Sequence, residues 1–205
     1  MAKQIEGVYE RVLESAKKEF LENGYVDASL RRIAANAGTS TNSIYVRFKD
    51  KEGLFSAIVE PVTNGLVEMF REVQEKFHEM DNEIQREQMG QYSEKEMQNM
   101  IDYIYDHLDE FHLLLDASYG TKFQNFVDEF VQIETEYTKK WLKATGYRFK
   151  VSSALAENMI HIVNTSYFEG IFEVIRHDID RADAKKYVTI LGKYHHEGFC
   201  AIVAE

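Results

Sequence analysis

Residues 39–48 read TSTNSIYVRF, and the reading of this stretch decides the fold. It sets small hydroxyl residues, Asn42, Tyr45 and Arg47 beside three apolar residues, Ile44, Val46 and Phe48. A turn would use the hydroxyls but not the apolar residues, and a core helix the reverse. The neighbours resolve this. Ser29 is a suitable N-cap for a short helix LRRIAANA, with Leu30, Ile33, Ala34 and Ala37 facing inward. Gly38 stops that helix, and Ser40 caps a second, TNSIYVRF. Two helices joined by so tight a turn form a helix-turn-helix. Ile44 and Phe48 then lock one side of the second helix, leaving Thr41, Asn42, Ser43, Tyr45 and Arg47 free to meet DNA.

Outward from this stretch, every pattern is helical. Val8, Val12, Ala16 and Phe20 recur every four residues in a first helix that Asn23-Gly24 ends. Asp50 caps a fourth helix, KEGLFSAIVE, which Pro61 is expected to kink or end. A domain boundary is expected there, separating 1–60, which holds the helix-turn-helix, from a helical domain over 61–205. Beyond it, Met97, Met100, Ile101, Ile104, Leu108 and Phe111 form one stripe; Phe123, Phe126, Phe130, Tyr137 and Trp141 form another. Residues 152–176 are apolar on several faces, and Val188, Leu191, His195, Phe199 and Ile202 line the last helix. The polar segment 80–95 reads as a loop or a frayed helix end. The fold class is all-α: an N-terminal three-helix helix-turn-helix domain followed by a larger helical domain.

The chain has 205 residues and a net charge of −11, which by itself argues against nucleic acid. The distribution argues otherwise. Residues 1–60 balance nine Lys/Arg with nine Asp/Glu, whereas 28–51 carry Arg31, Arg32, Arg47, Lys49 and Lys51 against Asp50 alone. Such a local positive patch on an acidic protein suits phosphate contact. Cys200 is the single cysteine, so no disulfide framework forms within one chain. The start lacks the apolar core of a signal peptide, and no apolar run approaches a membrane span, so a cytoplasmic protein is expected. No nucleophile elbow, phosphate loop or metal cluster points to an enzyme. Glu173 and His177 are four apart, but His195 and His196 are adjacent and point to different sides of a helix; no metal or cofactor is expected.

Residues 11–59 resemble the TetR family of transcriptional regulators. The resemblance rests on Phe20, Gly24-Tyr25, Ser29, Ile33-Ala34, Ala37-Gly38, Ser40, Tyr45, Phe48, Lys51 and Leu54-Phe55. It covers about a quarter of the chain. It implies a homodimer that binds a double-stranded DNA operator through small N-terminal domains, and a larger helical domain with a pocket for a small-molecule effector. It further implies that the last two helices pair with those of the partner, and that effector binding releases the operator. It places Tyr45 and Lys51 at phosphate-contacting positions. Asn42 stands where the family often has Gly, Arg47 where it has His or Tyr, and Ala28 where it has Thr. Asn pairs with adenine and Arg with guanine or phosphate, so the operator need not follow better-known members.

The expected DNA-binding residues are therefore Ser29, Thr41, Asn42, Ser43, Tyr45, Arg47 and Lys51. Those expected at an effector pocket are Tyr103, Phe111, Phe126, Phe130, Glu134, Tyr137, Trp141 and Phe168. Glu134 lies within about 20° of Phe123 and Trp141 on a helical projection, inside the aromatic stripe. A carboxylate there must be paired, protonated or in contact with something polar. It is either an anchor for a cationic or hydroxyl-bearing effector or half of a structural pair. The alternative for the whole chain is an interaction protein on the same fold that has lost effector-controlled operator binding.

Overall fold

The computed structural model describes residues 2–204, and the side chains of all of these except residues 2–6, 89, 91 and 93. In chain order the elements are α1 (Ala2–Asp27), α2 (Leu30–Asn36), α3 (Thr41–Phe48), α4 (Lys51–His78), α5 (Asn82–Asp106), α6 (Leu108–Asp116), α7 (Val127–Thr145), β1 (Arg148–Phe149), α8 (Ser153–Arg176), α9 (Arg181–Ile202) and β2 (Val203–Ala204). The all-helical expectation describes the protein, apart from the two short antiparallel strands, in which Arg148 pairs Ala204 and Phe149 pairs Val203. The chain forms two compact units. One comprises residues 1–65 and 107–125; the other comprises 66–106 and 126–205.

In the first unit, Val12, Ala16 and Phe20 of α1 are buried with Ile33, Ile44, Leu54 and Phe55. Phe20 and Phe55 meet edge to face, 5.1 Å between centroids, and Phe55 also meets Phe123 at 6.1 Å. Burial of such rings is worth about 3–5 kcal/mol each against alanine. Gly24 breaks α1 with a positive φ of 68°, and the Tyr25 N–H turns instead to the carbonyl of Ala117, 2.9 Å away. α6 packs on α1, where Lys17 Nζ meets Glu110 Oε1 at 2.6 Å. The stripe expected to run from Met97 to Phe111 is thus cut at His107, whose φ/ψ of −127°/35° is not helical. Neither Gly nor Pro marks that break, so periodicity reads straight through it.

α4 does not end at Pro61 but continues to His78. Pro61 has no N–H to offer the carbonyl of Ala57 four residues earlier, yet its own φ is helical and the following turns are held by a long apolar face. Segment 82–95 is helical, as the opening half of α5. Its polar residues hold the turn: Asn82 donates to the Ala144 carbonyl at 2.9 Å, and buried Gln85 donates to the Met80 carbonyl at 2.7 Å. Hydrogen bonding stands in for the apolar spacing that would announce a helix.

In the second unit, Phe70, Phe130, Phe168 and Phe172 form the core, with Phe70–Phe168 at 5.4 Å and Phe130–Phe172 at 5.7 Å. A second cluster gathers Phe77, Trp141, Phe199 and Val203. α5 packs along α9, where Gln98 donates to Thr189 Oγ1 at 2.9 Å and Lys185 meets Asp102 at 2.6 Å. α8 lies against α7 and α9; a Cβ on Gly170 would stand 3.2 Å from Leu191 Cδ2. The small residue at 170 thus serves contact within the chain.

Candidate functional site

α2, the turn at 37–40 and α3 make a helix-turn-helix. Its first helix begins at Ser29, whose Oγ accepts the Arg32 N–H at 3.4 Å. The Ser29 N–H is itself held by buried Glu19 Oε1 at 2.9 Å, and the Arg32 guanidinium pairs with the same carboxylate. The hydrogen bond from Arg32 holds the Glu19 carboxyl below its usual pKa range, against the opposing effect of burial. Gly38, with φ 65°, turns the chain, and Ser40 Oγ accepts the Ser43 N–H at 3.2 Å to start α3. Ile44 and Phe48 are buried beneath α3.

Thr41 and Ser43 are half-buried at the first turn of α3, whereas Asn42, Tyr45, Val46 and Arg47 are exposed. Val46, 79% exposed, stands on the same open face and was not among the expected DNA-binding residues. Arg47 lies 5.4 Å above the Tyr9 ring, which stacks on Phe48. Lys51, which the resemblance places at a phosphate-contacting position, has its ammonium held by the protein itself. Its Nζ donates to the carbonyls of Val26 at 2.8 Å and Ala28 at 3.2 Å, over the Tyr25 ring. Burial pushes its pKa down. α3 and α4 approach closely at Gly53, where a Cβ would lie 1.9 Å from the Phe48 carbonyl oxygen.

The second unit holds a partly open cavity of about 370 Å³, toward the lower end of the usual range for small-molecule sites. Glu134, Tyr137, Trp141 and Phe168 line it. Tyr103, Phe111, Phe126 and Phe130 do not. Phe111 is in α6, in the first unit; Phe126 precedes α7 and packs on Phe172; Phe130 is core; Tyr103 is half-buried in α5. α7 begins only at Val127, so the stripe drawn back to Phe123 was not one helix face. Gln74, Tyr167 and His195 line the cavity as well. Gln74 could have been found as the lone polar residue between Phe70 and Phe77 on one face of α4. His195 stacks on Tyr167 at 4.1 Å.

Glu134 is half-buried on this wall, accepting a hydrogen bond from Gln74 Nε2 at 2.7 Å and another from Thr138. Desolvation pushes its pKa up to about 7. Burial, with His196 beside it, pushes His195 down to about 4. The Trp141 indole Nε1 is buried with no hydrogen-bond partner. No group of three or more metal-ligating side chains occurs among the described residues, and no described helix is long and apolar enough to cross a membrane.

On α8 and α9, Leu155, Ile162, Ile190 and Tyr194 are more than half exposed. Ile160 and Phe199, on the same two helices, are buried within the chain.

These features define a helix-turn-helix protein with a separate helical unit that holds a cavity. Residues 12–58 match the family described as bacterial regulatory proteins, tetR family, and form a TetR-family helix-turn-helix segment. Over 73 residues the chain is 36% identical to the HTH-type transcriptional repressor AcnR of Corynebacterium diphtheriae, covering 31% of this chain and 38% of that protein. Over 71 residues it is 34% identical to the HTH-type transcriptional regulator UidR of Escherichia coli K12, covering 35% and 36% respectively. The matched segments thus span little more than a third of these curated relatives. The whole fold is similar to that of SmeT, repressor of the Stenotrophomonas maltophilia multidrug efflux pump SmeDEF, with a TM-score of 0.64 at 16% identity over 96% of this chain and 90% of that one. The SmeT–triclosan complex gives a TM-score of 0.66 at 16% identity, over 93% and 90%.

Proposed function

We propose that this protein is a dimeric transcriptional regulator, a repressor that leaves a palindromic operator when a small molecule fills the cavity of its second unit. The observation that carries the reading is α3 itself. Its apolar side is sealed by Ile44 and Phe48, and its open side offers Asn42, Tyr45 and Arg47. Asn and Arg are the side chains that read adenine and guanine edges bidentately. Thr41, Ser43, Ser29 and Lys51 complete the surface as phosphate-contacting or positioning residues.

DNA binding is assigned to the first unit, and effector binding and dimerisation to the second. The exposure of Leu155, Ile162, Ile190 and Tyr194 on α8 and α9 supports pairing with a second copy, which would take these apolar side chains out of water. A two-fold dimer sets its recognition helices about 34–36 Å apart, or a multiple of one DNA turn. α4 carries Gly53 against α3 and Gln74 at the cavity wall, and so links the two functions covalently. A ligand releases DNA only if it binds the DNA-incompetent arrangement more tightly. The cytoplasm is the compartment that this role requires. Gel shifts with fragments flanking the gene test the reading: a discrete complex supports it, and none on any fragment refutes it.

A further inference from the structure

We propose that the ligand of the second-unit cavity is a lipophilic organic cation, an amine or quaternary ammonium on a flat apolar body, with its charge at Glu134. This rests on the reading of the cavity as the effector site.

Glu134 and Trp141 are seven residues apart, two helical turns, and both line the cavity. Glu134 receives hydrogen bonds from neutral Gln74 and Thr138, and no basic side chain pairs with it among the described residues. A desolvated carboxylate without a counter-ion is costly, and a cation beside it removes that penalty. A ligand hydroxyl would add one hydrogen bond to an acid that already has two, and would leave the charge uncompensated. His78, which also lines the cavity, turns its ring nitrogens to the carbonyls of Gln74 at 2.8 Å and Tyr137 at 3.1 Å and makes no ion pair with Glu134. Burial holds Glu134 near pKa 7, so an incoming cation readily selects the ionised form.

Trp141 supplies a reporter: its side chain is 5% exposed and lines the cavity. The walls favour the rest of the molecule. Phe77, Tyr137 and Phe168 present ring surface to an apolar body, and aromatic faces attract cations. Glu87, Glu94, Glu96 and Glu197 also line the cavity, against Lys193 alone, so the field disfavours anions.

The test uses three compounds on one body: (6-methoxy-2-naphthyl)methyl-trimethylammonium, its uncharged tert-butyl isostere, and (6-methoxy-2-naphthyl)acetate. Affinity is measured by calorimetry on the full chain. Trp141 is the chain's one tryptophan, so its single indole N–H resonance reports cavity occupancy. The expected result is at least tenfold tighter binding of the cation than of the isostere, no acetate binding, and a shifted indole resonance. Glu134→Gln should abolish the preference while leaving the isostere within twofold. Equal binding of cation and isostere, or a preference that survives Glu134→Gln, overturns the cation assignment and leaves the cavity an effector site. If no compound moves the indole resonance, the cavity reading falls as well. The comparison on the unaltered protein decides the matter even where the variant fails to fold.

Discussion

The carboxylate of Glu19 in α1 accepts the backbone N–H of Ser29 at 2.9 Å, and so fixes the residue that caps α2. Glu19 is 5% exposed and also pairs with Arg32, so one buried acid orients the start of the helix-turn-helix. Glu19→Ala should lower stability by about 2–4 kcal/mol, because it strips charge-assisted hydrogen bonds from a buried site. Because the folded pKa is depressed, the contribution is present above the unfolded value and is lost as pH falls through the folded one. Urea melts at pH 7 and pH 3 should show the Glu19→Ala deficit shrinking at the lower pH.

Gly53 brings the first turn of α4 against the Phe48 carbonyl, where a Cβ would stand 1.9 Å from the oxygen. Gly53→Ala therefore has to displace the end of α3. Operator affinity should fall at least tenfold while circular dichroism retains its helical content.

Arg47 and Lys51 should separate. Arg47→Ala should weaken operator binding by about 1–3 kcal/mol if the guanidinium reads a base. Lys51 is occupied with the Val26 and Ala28 carbonyls at the end of α1. Lys51→Met should lower the melting temperature, with a smaller change in salt slope than the one unit expected for a lost phosphate contact. A full unit without thermal destabilisation would place Lys51 on DNA instead.

Glu134 and His195 give opposing pH slopes. Glu134 has a folded pKa raised from 4.5 to about 7, so its contribution is complete below 4.5 and is lost as pH rises to about 7. His195 is lowered from 6.5 to about 4, so its contribution is complete above 6.5 and is lost as pH falls toward 4. The two nearly cancel in the native protein. Glu134→Gln should unmask stability that rises with pH between 4 and 6.5, and His195→Gln stability that falls with pH between 4.5 and 7.

Ile190→Asp should shift the protein to monomer by sedimentation at micromolar concentration, since Ile190 is 68% exposed on α9. Phe199→Asp should instead unfold the second unit, because Phe199 is buried against Trp141 and Phe149.

Sequence was informative where local chemistry and periodicity agreed. The helix starts at Ser29 and Ser40 and the stop at Gly38 follow from capping and from positive φ, both local properties. It was less informative where distant partners decided. Asn82 anchors a polar helix through the Ala144 carbonyl, 62 residues away, which sequence does not place beside it. His107 breaks a continuous apolar stripe with no residue-level signal. Periodicity put Tyr137, Trp141 and Phe168 on apolar faces but could not separate cavity wall from core, so Phe126 and Phe130 received the same reading. Nothing local to Lys51 reveals the Val26 and Ala28 carbonyls that hold it.

The central claim is that α3 reads DNA sequence. Fluorescence anisotropy at about 0.15 M salt, with a fragment found by gel shift and a scrambled fragment of equal length, tests it most directly. The account predicts at least a thousandfold preference for the selected fragment, which Asn42→Ala with Arg47→Ala erases while leaving weak binding to any DNA. Equal affinity for both fragments, or a preference untouched by the double substitution, would contradict it.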